Sequence, residues 1–153
     1  MPKLPFAQQL LHRYHRVSRG LTLGVRGLVV DAAERVFLVR HSYVAGWHLP
    51  GGGVEPGETA QAALSRELTE EGNLIVTGPL RLHGLFFNRK VSNRDHVAVF
   101  QIASFRQTGV KIADMEILEA DFFARDRLPE TTTPATLRRL AEVFDGAPIG
   151  TDW

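Results

Sequence analysis

The most restrictive stretch of this sequence is residues 59–71, which read as a helix carrying its acids on its apolar side. Thr59 is a good N-cap, and the Ala, Leu, Gln, Glu and Arg residues that follow are strong helix formers. At about 100° per residue, Ala63, Leu64 and Leu68 share one stripe; Glu67 and Glu71 continue it, with Glu70 at its edge. Opposite lie Gln61, Ser65 and Thr69, all uncharged, which inverts the usual amphipathic arrangement. Glu67 and Glu71 form an i,i+4 like-charge pair that costs a few tenths of a kcal/mol, and burying unpartnered carboxylates costs far more. Arg66, four residues before Glu70, neutralises one acid, and a hard divalent cation held by oxygen is the natural counterion for the others. The plainer alternative is a solvated acidic helix end. Gly72 and Asn73, both tolerant of the left-handed conformation, are expected to end the helix.

Residues 42–58 read as loop, broken by Pro50, Gly51, Gly52, Gly53, Pro56 and Gly57. Three glycines let backbone approach a ligand closely, and their place before an acid-bearing helix suits a cation with bound phosphates. Gly-Lys-Ser/Thr is missing, so this is not a Walker loop.

Around this centre the chain reads as one domain with an α/β composition. Strands are expected at 21–30, 36–39, 74–76, 80–87, 97–105 and 118–123, the first two as a hairpin turning at 31–35, and a second helix at 134–144. The predicted organisation is an amphipathic helix at 1–20 closed by Gly20 and Gly24, a single domain at 21–145 and a loose tail at 146–153. Lys plus Arg number 18 against 17 Asp plus Glu, a net charge of +1 that disfavours a dedicated DNA binder. The absence of cysteine excludes disulfides, thiolate metal sites and cysteine nucleophiles, and fits a reducing compartment, so a cytoplasmic location is expected. No apolar run approaches the roughly 20 residues of a membrane span, and no membrane partner is expected. Residues 1–30 carry Lys3, Arg13, Arg16, Arg19 and Arg26 with no acid, and Phe6, Leu10, Leu11, Tyr14 and Val17 recur at near-helical spacing. That pattern resembles a transit peptide or a surface-binding helix; the plainer expectation is a short helix packed beside the domain, with a homodimer through it as a further option.

Gly52, Glu58, Arg66, Glu67, Leu68, Glu70, Glu71 and Leu74 together resemble the signature box of the Nudix (MutT-like) hydrolases, G-x5-E-x7-R-E-U-x-E-E-x-G-U with U aliphatic. Trp47-His48-Leu49-Pro50-Gly51-Gly52 resembles that family's approach to the box. One letter departs: Asn73 stands where the family has glycine, and Asn is the next-best residue for a left-handed exit. The resemblance implies a Nudix-type α/β/α sandwich with a mixed β-sheet, and hydrolysis of a diphosphate linked to a further moiety, assisted by Mg2+ or Mn2+. It implies Glu70 and Glu71 as metal ligands with a backbone carbonyl near Gly51, Glu67 as a further ligand or an aid in activating water, and Arg66 as an orienting residue. Glu58 would pair with Arg66 or support the metal shell. The family's layout points to Glu116 as an additional acid from a later loop, with Glu119 and Asp95 behind it. The resemblance implies a small nucleotide as partner, either a nucleoside di- or triphosphate or a nucleotide sugar; the family's proline and tyrosine signatures of narrower classes are not visible, with no tyrosine after Tyr43 and no proline between Pro79 and Pro129. The competing reading is a non-catalytic nucleotide-binding or sensing module on the same fold.

Other residues admit two readings each. Gly52, Gly53, Arg40, His41 and Tyr43 stand where a phosphate or base would lie, although solvent-facing strand ends explain Arg40, His41 and Tyr43 as well. Asn88, Arg89, Lys90, Arg94 and His96 form a basic patch that would grip an anion or simply solvate a hairpin tip. Phe86, Phe87, Phe122 and Phe123 read as core.

Overall fold

The β-branched and leucine-rich runs of this chain assemble into sheets covered on both faces. The computed structural model describes residues 5–153, so Lys3 lies outside the described residues. A central four-stranded sheet runs β3 (Gly51–Gly53), β1 (Thr22–Val29), β6 (Asp95–Ile102), β5 (Arg81–Phe87), with β1 and β6 parallel and the other pairs antiparallel. Two further antiparallel pairs, β2 (Val36–His41) with β8 (Ile117–Phe123) and β4 (Leu74–Val76) with β7 (Phe105–Gln107), complete the β structure of the described residues. The helices are α1 (Phe6–Ser18), α2 (Ala60–Gly72) and α3 (Pro134–Phe144).

Alternation along each strand sends side chains to two separate cores. Val25 and Val29 of β1, Phe37 and Val39 of β2, and Ala98, Phe100 and Ile102 of β6 pack with Ala63, Leu64 and Leu68 of α2. The intervening Leu28, Val36, Leu38, Val97 and Val99 pack the other way, with Trp47, Leu49, Phe86 and Leu140 of α3. Burial on both faces explains why the strands read as continuous apolar runs and makes the architecture an α/β/α sandwich. At Gly27 the packing of α2 on β1 is tight: a Cβ there would stand 3.3 Å from Leu64 Cδ1 and 3.4 Å from Leu68 Cδ2, and 3.0 Å from Ile102 Cδ1 of β6.

Several expectations change. Residues 31–35 do turn, with Asp31 Oδ1 accepting from the Ala33 and Arg35 N–H groups, but β1 and β2 then diverge into different sheets and share only a bridge at Val30 and Val36. The glycines expected as loop form β3, because extended backbone hydrogen-bonds to β1 without needing side chains. The strand expected over 97–105 is two, β6 and β7. Helix α1 ends at Ser18, and Gly24 lies within β1. The tail is not loose: Phe87 N–H donates to Thr151 O at 2.8 Å and Trp153 N–H to Phe87 O at 3.0 Å, adding a bridge beside β5. A buried triad anchors it, in which Glu142 takes His83 Nε2 at 2.8 Å, Arg139 at 2.7 Å and the Gly150 N–H at 3.0 Å. Among the described residues no helix is long and apolar enough to cross a membrane.

Candidate active site

Local sequence sets the frame of α2. Thr59 Oγ1 accepts from Ala62 N–H at the N-terminus, and Asn73 adopts the left-handed conformation at φ 53° to end the helix. Ala63, Leu64 and Leu68 go into the core, and one turn along the same stripe Glu71 is only 3% exposed. Glu71 bridges two elements: Oε2 accepts from the Gly51 N–H of β3 at 2.7 Å, and Oε1 lies 2.6 Å from His41 Nε2 at the end of β2. Glu67, with 13% of its side chain exposed, lies against the bare face of Gly52, where a Cβ would meet Oε1 at 2.5 Å. Only a glycine there leaves the carboxylate in this position. Glu70, at the edge of the stripe, has 58% of its side chain exposed.

Arg66 ties the acids together. Its guanidinium donates to Glu58 at 3.0 and 3.2 Å, to Glu67 at 2.7 Å, to Glu70 at 3.4 Å and to the Gly53 carbonyl at 3.2 Å. The expected Arg66–Glu70 pair is thus the longest of its contacts, and the shorter ones reach across to the loop before the helix. The Arg66 bond and the Glu55 N–H hold Glu58 below the usual carboxylate range, while Glu58 and Glu67 hold Arg66 firmly protonated. Glu67 moves the other way: burial raises its carboxyl, Arg66 opposes, and the Glu71 charge adds to the rise. Burial and the charges of Glu116 and Glu71 raise the Tyr43 phenol, with Glu67 contributing and Arg26 opposing, and the Tyr43 ring lies 5.0 Å from that of His41. Beside it, Arg40, His41, Ser42, Tyr43, Leu118 and Thr131 line a cleft of about 500 Å³.

The remaining candidates are distributed as follows. Glu116 is exposed on the loop before β8, its carbonyl accepting from Ser42 N–H at 2.8 Å and so joining that loop to the end of β2. Glu119 is engaged by Arg40 at 2.7 Å, and Asp95 by Asn88 and Thr22 at the start of β6. Arg89 lies over the Phe87 ring and pairs with Asp152 of the tail, and Arg94 donates to the carbonyls of Val17 and Gly20. Phe86, Phe122 and Phe123 pack internally. Of the two readings of His41, the solvent-facing strand end does not hold: the residue is 3% exposed against Glu71, and the sequence signals this only as a polar residue closing an apolar strand. Arg26, which the sequence offers only as one of the N-terminal basic residues, donates through Nη1 to Leu49 O at 2.9 Å, bracing the approach to the glycines from the middle of β1.

Among the described residues no three His, Asp or Glu side chains stand as a ready-made metal cage. The donor set nonetheless fits a hard cation. Its groups are carboxylate and carbonyl oxygens, one acid is raised by burial and by its like-charged neighbour, and Mg2+ uses few protein ligands while keeping water and substrate phosphate.

A family model described as the NUDIX domain matches residues 20–144. The chain is 28% identical over 127 residues to a putative 8-oxo-dGTP diphosphatase of Bacillus subtilis (strain 168), covering 82% of each protein. It is 46% identical over 67 residues to an RNA pyrophosphohydrolase of Legionella pneumophila (strain Corby), covering 40% of this chain and 38% of that one. In fold it is similar to the crystal structure of a MutT NUDIX hydrolase from Burkholderia pseudomallei, with a TM-score of 0.68, 23% identity, and coverage of 80% of this chain and 97% of that one.

Proposed function

The chain belongs to the Nudix family and is a pyrophosphohydrolase of that family; from that premise we propose that it hydrolyses, with Mg2+ or Mn2+, the diphosphate of a nucleoside di- or triphosphate or of a nucleotide linked to another moiety. The names of its relatives, an 8-oxo-dGTP diphosphatase and an RNA pyrophosphohydrolase, support a nucleotide substrate. The observation that carries the reading is Glu71, only 3% exposed and clasped between the Gly51 N–H and His41 at the foot of an acidic stripe. Even with these two partners a carboxylate taken out of water is costly, so packing alone gives no reason for an acid at this position.

Glu70, Glu71 and the carbonyl of Gly51 would hold the metal, and Glu67 would join them or take the attacking water's proton. A bound divalent ion offsets phosphate charge and lowers the pKa of bound water. Water attacks a phosphorus, the anhydride P–O bond breaks, and the proton released passes to Glu67, a stronger base than an exposed carboxylate because burial raises it. Arg66 orients Glu67 and Glu70 and, through Glu58 and Gly53, fixes the helix to the glycine strand. Gly52 and Gly53 let phosphate approach the backbone, with Arg40 at the rim and Glu116 as the acid from the later loop. The test is release of phosphate, diphosphate or nucleoside monophosphate from a nucleotide panel with each metal, for the wild-type protein and Glu71→Gln. Release that is metal-dependent and at least ~10²-fold slower in the variant is expected. Binding without turnover, or an unimpaired variant, would overturn the reading.

A further inference from the structure

Helix α1 stands apart from both cores. None of its residues is buried, contrary to the expectation that it packs beside the domain. At about 100° per residue, Phe6, Val17, Leu10 and Tyr14 fall within one sector, with Leu11 at its edge. These side chains are 81%, 78%, 61%, 66% and 57% exposed respectively. The rest of the surface carries Gln8, Gln9, His12, His15 and Arg16, with Arg13 flanking the stripe beside Phe6; Arg19 follows the helix, and no acid precedes Asp31. Its C-terminal end is tethered to the domain where Arg94 donates to Val17 O at 3.1 Å and Gly20 O at 3.2 Å. An apolar stripe left in water beside an acid-free cationic face marks a surface for something else.

We propose that α1 attaches this protein to the surface of an anionic lipid bilayer, lying in the interface plane with Phe6, Leu10, Leu11, Tyr14 and Val17 inward. Both faces of the helix are then satisfied at once. The apolar side chains enter the headgroup–acyl boundary to a depth of about 5–10 Å, and the arginines stay among anionic headgroups. Tyr14 suits such a boundary, having an apolar ring and a polar tip. At 13 residues the helix is too short to span, so it lies on the membrane, which revises the expectation of no membrane partner only as regards the surface. A second copy of the helix would cover the stripe, but it would bring two acid-free cationic helices within roughly 8–10 Å with no opposite charge to pair across the seam. RNA would engage the arginines and leave the stripe in water.

The experiment is co-sedimentation of the full chain with phosphatidylcholine vesicles, with and without about one third phosphatidylglycerol, at low and high salt. Light scattering and RNA binding are measured on the same samples. Leu10→Asp removes the centre of the stripe, and an Arg13→Glu, Arg16→Glu double variant reverses the cationic face. Because these positions are exposed, all variants are expected to keep the wild-type unfolding midpoint and hydrolytic rate. Binding to the anionic vesicles should be at least ~10-fold weaker for each variant, for the uncharged vesicles and at high salt. No partition onto anionic vesicles, or partition that Leu10→Asp leaves intact, would overturn the proposal. So would a Leu10-dependent dimer or RNA binding in a protein that ignores the vesicles.

Discussion

The three adjacent glycines of β3 should respond to alanine in three different ways, and the differences can be worked from their surroundings. At Gly52 a methyl would stand 2.5 Å from Glu67 Oε1, 2.7 Å from Cδ and 2.9 Å from Oε2, so the two groups must separate by about an ångström to reach ordinary contact. The obstacle is the end of a flexible side chain, and the fold escapes by rotating Glu67 at a cost of ~1 kcal/mol. The site does not escape, since an ångström of misplacement at reacting groups costs ~10²-fold in rate. Gly51 has φ +142°, and its Cβ would overlap Val25 O and stand 2.9 Å from Arg26 Cα, both backbone of the paired strand β1. Nothing there yields without breaking the β1–β3 ladder, so Gly51→Ala should cost ~3 kcal/mol or more. At Gly53 nothing lies within 4 Å, and Gly53→Ala should stay within ~0.5 kcal/mol of wild type, any loss of activity there coming from the phosphate approach alone. Urea unfolding and steady-state hydrolysis of the three variants give the comparison. A Gly52→Ala protein with full kcat/KM, or one as unstable as Gly51→Ala, would refute the placement of Glu67 against this glycine.

Two further outcomes follow from buried charges. Burial raises the Glu67 carboxyl, so the ionised acid costs folded-state stability above the unfolded value of about 4.5, and the cost disappears as both states protonate at lower pH. Glu67→Gln should therefore raise the unfolding midpoint at pH 7 in EDTA while impairing hydrolysis, with the gain shrinking as pH falls through the carboxylate range; a gain independent of pH would contradict this origin. Arg139 is wholly buried, binds Glu142 at 2.7 Å and the Asp152 carbonyl at 3.2 Å, and lies 3.6 Å over the Phe86 ring. Arg139→Leu removes the guanidinium partner of the buried Glu142, leaving it His83 and the Gly150 N–H, and should cost ~3 kcal/mol, with faster amide exchange over 146–153; a loss below ~1 kcal/mol would mean the tail is held by other contacts.

What the amino-acid order alone determined lies where contacts are short in sequence. Helix periodicity placed Glu67 and Glu71 on the apolar stripe, the Thr59 hydroxyl and the left-handed tolerance of Asn73 set the limits of α2, and Pro134 marked the start of α3. Each of these rests on neighbours no more than a few turns away. The tertiary structure decided the rest, because strands buried on both faces offer no local clue to their partners. It sent β1 and β2 into separate sheets, recruited Gly51–Gly53 as a strand, and placed His41 on Glu71 across 30 positions of sequence. It likewise folded the tail beside β5 and left the stripe of α1 in solvent. An amphipathic pattern states that a face must be covered; which surface covers it is set by the geometry of the assembled domain and its surroundings.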